Sequence, residues 1–131
     1  EVTVDKKSSL SYIKVSIAEQ KLYYYERNKL VLETNIVTGM RGVSPTPTGD
    51  YKVLSKSRNV NLVGDDYTSF VNYWIAFKGN SYGLHDASWR SRFGGNIYTY
   101  NGSHGCVSMR DKDAKLVYDN THVGEKVLVH R

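Results

Sequence analysis

The 131-residue chain contains one cysteine, and it stands in the stretch "NGSHGCVSMR", residues 101–110. His104 lies two positions before Cys106. In an extended segment both side chains therefore project to the same face and line one pocket. A thiol becomes a strong nucleophile only as thiolate, and with a free pKa of about 8.5 it needs a base or a cation beside it. Of the four histidines, His85 and His104 fall in the Gly-rich part of the chain, whereas His122 and His130 read as surface residues. His85, with Asp86 behind it, ends a strand-like run. From a neighbouring strand its imidazole would reach the thiol, with a backbone carbonyl or Asp86 fixing its tautomer. Gly105 lets the backbone turn tightly, and the Cys106 amide is placed to donate toward an oxyanion.

The same residues admit plainer readings. A lone cysteine is commonly a small buried hydrophobe. A zinc site built from Cys106, His104 and His85 is another, although there is no CxxC, no HExxH and no second thiolate. Redox sensing requires an exposed, low-pKa thiol, and the chain holds no resolving cysteine. Spacing alone leaves the alternatives open.

The elements that must position these residues are mostly strands. From Tyr12 the pattern alternates, with Ile13, Val15 and Ile17 on one side and Lys14 and Ser16 on the other. "KLYYYERNKLVLETNIV" reads as a hairpin turning at residues 26–29, so the first third is a β-meander. "TGMRGVSPTPTGDYKV" is loop chemistry, stiffened by Pro45 and Pro47, leading into a strand around residues 51–54. Residues 57–69 show no clear period and read as a surface excursion. "VNYWIAFK" alternates again, placing Val71, Tyr73, Ile75 and Phe77 on one face. The Gly- and aromatic-rich stretch from Ser81 to Arg110 reads as long loops of the kind that carry function on a β scaffold. "DKDAKLVYDN" is the one helix expected, capped by Asp111, with Ala114, Val117 and Tyr118 sharing a face. "EKVLVHR" closes the chain as a strand.

Composition bounds the rest. The length fits one domain with a real core, and residues 1–9 read as a linker or edge segment. No apolar run approaches the ~20 residues of a membrane helix. The formal charge of +5 suits any polyanion, but Lys6-Lys7 is the only adjacent basic pair, so the charge reads as a solvated surface and not a nucleic-acid stripe. One cysteine allows no internal disulfide. The start at Glu1, without Met or a leader pattern, reads as a piece of a longer precursor.

Neither the papain-like order of Cys before His nor the caspase signature fits. "YGLHDASW" followed by "GSHGCVSM" instead resembles the active-site motif of the L,D-transpeptidases, cysteine enzymes that remodel bacterial peptidoglycan. "IVTGMRGVSPTPTGDYKV" resembles the segment preceding the active site in that family, "VNYWIAF" its substrate-side strand, and "DAKLVYDNTHVGEKVLV" its closing helix and strand. The resemblance covers most of residues 12–130 and implies a mainly β catalytic domain over 10–131: a β-sandwich-like pair of mixed sheets with one short α-helix.

Carried over position by position, it makes Cys106 the acylated nucleophile and His85 the general base, oriented through the backbone carbonyl of Asp86. His104 would line the pocket and support the charge balance, and the amides near Gly105 and Cys106 would form the oxyanion hole. Tyr73 and Trp89 match aromatic positions beside the cleft, with core packing as the competing role. Ser103 is expected to stabilise the loop. Ser108 stands where the family often has Asn or Arg, with Arg110 the nearby candidate to compensate.

The implied reaction is attack on the bond between the third residue, an L-centred diamino acid, and the terminal D-Ala of a peptidoglycan tetrapeptide stem. A Cys thioester forms, and transfer to the side-chain amine of a second stem cross-links third residues. Water as acceptor would make the domain an L,D-carboxypeptidase, and a non-catalytic wall-binding module is the reading from a different class. The family implies no metal or cofactor, acylation by carbapenem-type β-lactams, a place outside the cytoplasmic membrane, and membrane attachment only through segments outside this sequence.

Overall fold

The computed structural model describes residues 11–64, 67–79 and 81–131. The segment 1–9 read above as a linker lies outside the described residues.

Two mixed sheets face each other. The first has the order β3-β2-β1-β9-β4 and the second β5-β6-β7-β8. In the first, β1 (Tyr12–Ser16), β2 (Lys21–Glu26) and β3 (Lys29–Asn35) form the expected antiparallel meander. The β2–β3 turn has two central residues, Arg27 and Asn28, with φ of 52° and 62°. That left-handed pair suits the tight hairpin turn whose twist matches the strands, and asparagine tolerates it well. The last strand, β9 (Lys126–His130), runs parallel to β1 and carries the short β4 (Gly49–Lys52) on its other edge.

The second sheet contains β5 (Ser55–Val63), β6 (Thr68–Lys78), β7 (Tyr82–Asp86) and β8 (Val107–Met109). Its first pair corrects the expectation for residues 57–69. Residues 57–63 and 68–69 are not an irregular excursion but belong to the paired arms of a long hairpin, in register from Ser55↔Ala76 to Val63↔Thr68. The period was hidden because the phase of β5 slips around Asn59, whose φ is 53°: Ser55 and Ser57 line the cleft before it, Val60 and Leu62 after it. A one-residue slip moves every following side chain to the other face.

Between the sheets, Ile13, Val15, Leu22, Tyr24, Val127 and Val129 meet Tyr73, Ile75, Phe77, Leu84, Val107 and Met109 in one buried cluster. Each fully buried side chain of this kind contributes about 1.5–3 kcal/mol relative to exposure. The helix α2 (Asp111–Asn120) closes the cluster with Ala114 and Val117 and packs on β6 and β7; a single turn, α1 (Ile97–Tyr100), precedes it in a loop and was not anticipated. Arg110, not Asp111, occupies the position before α2, and Asp111 and Asp113 sit in its first turn, where their charge favours the helix N-terminus.

Val71 departs from the expected face. The N–H groups of Asn72 and Tyr73 both donate to the Asp86 carboxylate, at 2.9 and 2.8 Å. Two successive amides pointing the same way break the alternation of β6. Val71 consequently joins Trp74 and Ala76 in a second cluster beside Cys106, while Tyr73, Ile75 and Phe77 face the main core.

Candidate active site

A cleft of 960 Å³ opens on the outer side of the second sheet, and Cys106, His85, His104, Ser103, Ser108 and Trp89 all line it. The fold brings base and thiol together through a parallel pair. In the β7–β8 ladder Leu84 is opposite Val107, His85 opposite Ser108, and Asp86 opposite Met109. Cys106 immediately precedes β8 and shares a face with Ser108. His85 therefore lies across and one step along from the thiol, the diagonal relation that spans about 7–8 Å between backbones and is within reach of an aromatic ring.

His85 is 4% exposed, and its Nδ1 lies 2.7 Å from the Asp86 carbonyl oxygen. A carbonyl only accepts, so Nδ1 carries the proton and Nε2 is left as the basic nitrogen. The Asp86 carboxylate is committed to the amides of β6 and takes no part in orienting the ring. Of the two ways of fixing the tautomer, the structure uses the backbone. Two indoles flank the imidazole, with centroids at 6.0 Å for Trp74 and 5.9 Å for Trp89. Burial lowers the His85 pKa; the Asp86 carbonyl opposes the shift and the Arg90 charge adds to it.

Cys106 is half-buried, and its Sγ lies 3.4 Å from the Ser81 carbonyl. Burial pushes the thiol up to about 11, with a backbone contact from Gly83 partly opposing it. With the thiol raised and the imidazole lowered, both shifts favour the neutral pair at rest. Such a pair reacts by passing the thiol proton to the imidazole as the sulfur attacks.

The turn that presents Cys106 is pinned from several sides. Gly105 has φ +123°, and a Cβ there would come within 2.7 Å of the Tyr82 ring. The Ser103 hydroxyl donates to the Cys106 carbonyl and accepts the Gly105 N–H at 3.1 Å, so Ser103 holds the loop closed. From the Pro-rich segment, buried Thr46 accepts the Gly39 N–H and donates to the Gly105 carbonyl, both at 2.8 Å. A Cβ on Gly39 would overlap this knot, at 2.0 Å from the Ser44 oxygen. Val37 exchanges backbone bonds with Ser108 at 3.0 and 2.8 Å, so this segment braces the loop against the edge of the sheet.

The remaining candidates divide. His104 is exposed and stacks on Tyr67, ring centroids 4.1 Å apart, across the mouth of the cleft. Trp89 stands 51% exposed on the rim. Ser108 is 1% exposed with its Oγ unpartnered. Tyr73 is not brought to the cleft. It is in the core against Tyr118, under the Arg58 guanidinium. Arg110 is also elsewhere, over the Phe93 ring and 3.5 Å from the Thr34 hydroxyl. Among the described residues, no group of His, Cys, Asp and Glu is arranged to hold a metal ion. Thr46, Trp74 and Arg90 belong to the site but were not singled out from sequence. Thr46, between Pro45 and Pro47, gave no hint of its contact with the Cys106 motif, since contacts so far apart in the chain leave no periodic trace.

A family model described as the L,D-transpeptidase catalytic domain matches residues 10–129. The Mycobacterium tuberculosis protein named Probable L,D-transpeptidase 3 is 35% identical over 95 residues, covering 65% of this chain and 34% of that protein. The catalytic domain of the Enterococcus faecium L,D-transpeptidase, solved by NMR, superposes with a TM-score of 0.83 at 36% identity, covering 92% of this chain and 97% of that one. The same domain acylated by ertapenem gives 0.81 at 36% identity, with 91% and 95% covered. The chain thus spans about a third of the curated relative's length and nearly all of the solved domain. It belongs to the L,D-transpeptidase family, and the site around Cys106 and His85 lies within that family's catalytic domain.

Proposed function

We propose that the domain cleaves a peptidoglycan tetrapeptide stem between its third residue and D-Ala and joins the third residue to the side-chain amine of a second stem. The observation that carries this is the pairing of a thiol and an imidazole in one cleft, with Nδ1 of His85 held on the Asp86 carbonyl at 2.7 Å. Cys106 Sγ attacks the carbonyl of the third residue while its proton passes to His85 Nε2. His85 returns that proton to the leaving amine as the C–N bond breaks, D-Ala departs, and a thioester remains. The acceptor amine then attacks the thioester carbonyl, giving up a proton through His85 to the departing thiolate. The Cys106 amide, with Gly105 beside it, stabilises the oxyanion of each tetrahedral stage.

His104, stacked on Tyr67, and Trp89 frame the mouth of the cleft. Carbapenems acylate the same sulfur in this reading, as ertapenem does the E. faecium domain. The substrate sets the place of action outside the cytoplasmic membrane.

The test is mass spectrometry of defined disaccharide-tetrapeptides incubated with the wild-type domain and with Cys106→Ala. Dimers lacking one D-Ala, formed only by wild type, support the proposal. Tripeptide monomers would instead indicate water as acceptor. A carbapenem adduct that persisted on Cys106→Ala would falsify the nucleophile assignment.

A further inference from the structure

Among the described residues, the lining of the cleft contains two arginines, Arg90 and Arg92, and neither aspartate nor glutamate. Arg90 ends the turn that follows β7, closed by its own N–H on the Ala87 carbonyl at 3.1 Å. Its Nη1 donates to the Asn101 carbonyl at 2.8 Å, which ties the guanidinium into the wall. None of the ion pairs among the described residues involves it. Its Nε is buried without a partner, and the only other such side-chain atom among the described residues, Ser108 Oγ, lines the same cleft. An arginine fixed in the wall of such a cleft, with no ion-pair partner among the described residues, is suited to meet an anionic ligand with the accessible part of its guanidinium. Arg110, the guanidinium nearest the nucleophile in sequence, lies away over Phe93 and does not compete for that role.

We propose that Arg90 binds the terminal carboxylate of the residue that leaves, so that the enzyme selects donor peptides ending one residue beyond the bond it cleaves. The assignment rests on the transpeptidase reading above. Two features favour this carboxylate. The leaving residue's carboxylate lies one residue, about 3.3–3.6 Å of chain, past the attacked carbonyl. It also lies on the side of the base that must protonate the leaving amine, and the Arg90 charge is felt at His85. A carboxylate on Arg90 would cancel part of that charge, so donor binding itself would strengthen the base.

The experiment compares a tetrapeptide-stem donor with its C-terminal carboxamide, using wild type, Arg90→Gln and Arg90→Lys. Wild type should prefer the free acid by about 10- to 100-fold in kcat/KM, the span of one charge-assisted hydrogen-bonded contact. Arg90→Gln should handle acid and amide at similar rates, and Arg90→Lys should keep a reduced preference because the charge remains and the planar fork is lost. A wild type indifferent to the terminal charge, or an Arg90→Gln variant that keeps the preference, would overturn the proposal. If Arg90→Gln does not fold, an Arg90→Lys preference equal to wild type does so in its place. Failure of wild type to process either donor sinks the transpeptidase reading itself, and the Arg90 assignment with it.

Discussion

Alkylating Cys106 with iodoacetamide across pH distinguishes a neutral thiol–imidazole pair from a preformed thiolate–imidazolium pair. In this structure burial pushes the thiol to about 11 from an ordinary value of 9.0. At pH 8 that leaves roughly 0.1% thiolate where an unburied thiol of pKa 9.0 would have roughly 10%, about 100-fold less. A more basic thiolate is also more nucleophilic, which recovers about 6- to 10-fold over two pKa units. The net expectation is alkylation about tenfold slower than for a free thiol at pH 8. The rate should rise about tenfold per pH unit from about pH 7 to about pH 10, when followed by intact-protein mass. His85→Gln should move the apparent thiol pKa by less than about one unit, since in a neutral pair the imidazole holds no charge to withdraw. A plateau reached below about pH 8, abolished by His85→Gln, would refute this reasoning and establish the ion pair instead.

Three further outcomes follow from named contacts. Thr46→Val deletes two buried bonds, to the Gly39 N–H and the Gly105 carbonyl, and should cost roughly 2–4 kcal/mol by urea unfolding while slowing acylation; a stability within about 0.5 kcal/mol of wild type would show that the knot is dispensable. Gly105→Ala forces a side chain into a left-handed backbone and against Tyr82, and should cost roughly 1–3 kcal/mol with a disproportionate loss of acylation rate. His85 has a folded pKa below 6.5, so the unfolded chain binds the proton more readily. Its contribution to stability is complete above about pH 6.5 and is lost as pH falls through that value, and His85→Gln should flatten the acid side of a Tm-against-pH curve; parallel curves would contradict it.

Much of this was legible because strands with one buried face write their period into the sequence. Tyr12–Ser16, the β2–β3 hairpin and β9 all carried it, and the helix over Asp111–Asn120 carried its own. The β5 arm did not, since its phase slips around Asn59 and the two halves of the strand turn opposite parities to the cleft. Val71 misled for a different reason: the alternation was sound on either side, but the Asp86 carboxylate reverses it between Asn72 and Tyr73, and a side chain fourteen residues away gives no local warning. In the site, His85 and Cys106 were visible as chemistry. Tyr73 was assigned to the cleft through the family resemblance, whereas its alternation with Ile75 and Phe77 already placed it on the core face where it lies. Arg90 was passed over because a single arginine in a polar loop looks like any solvated charge until its Nε is seen buried.

Base and nucleophile belong to adjacent parallel strands, and their relative position is set by the β7–β8 ladder and by Val37 and Thr46 from outside it. Parallel neighbours require a long connection, here residues 87–106, of which the stretch from Ala87 to Gly102 precedes the pinned turn that carries Cys106. That stretch carries Trp89, Arg90, Arg92 and Tyr100, all facing the cleft, yet none of the groups that move protons or bonds. With Arg90 holding the donor carboxylate as proposed, the reader of the substrate is an insert between two fixed points. A crossover of equal span taken from a relative could be spliced from Ala87 to Gly102 to exchange donor preference, leaving the reacting pair in its original frame.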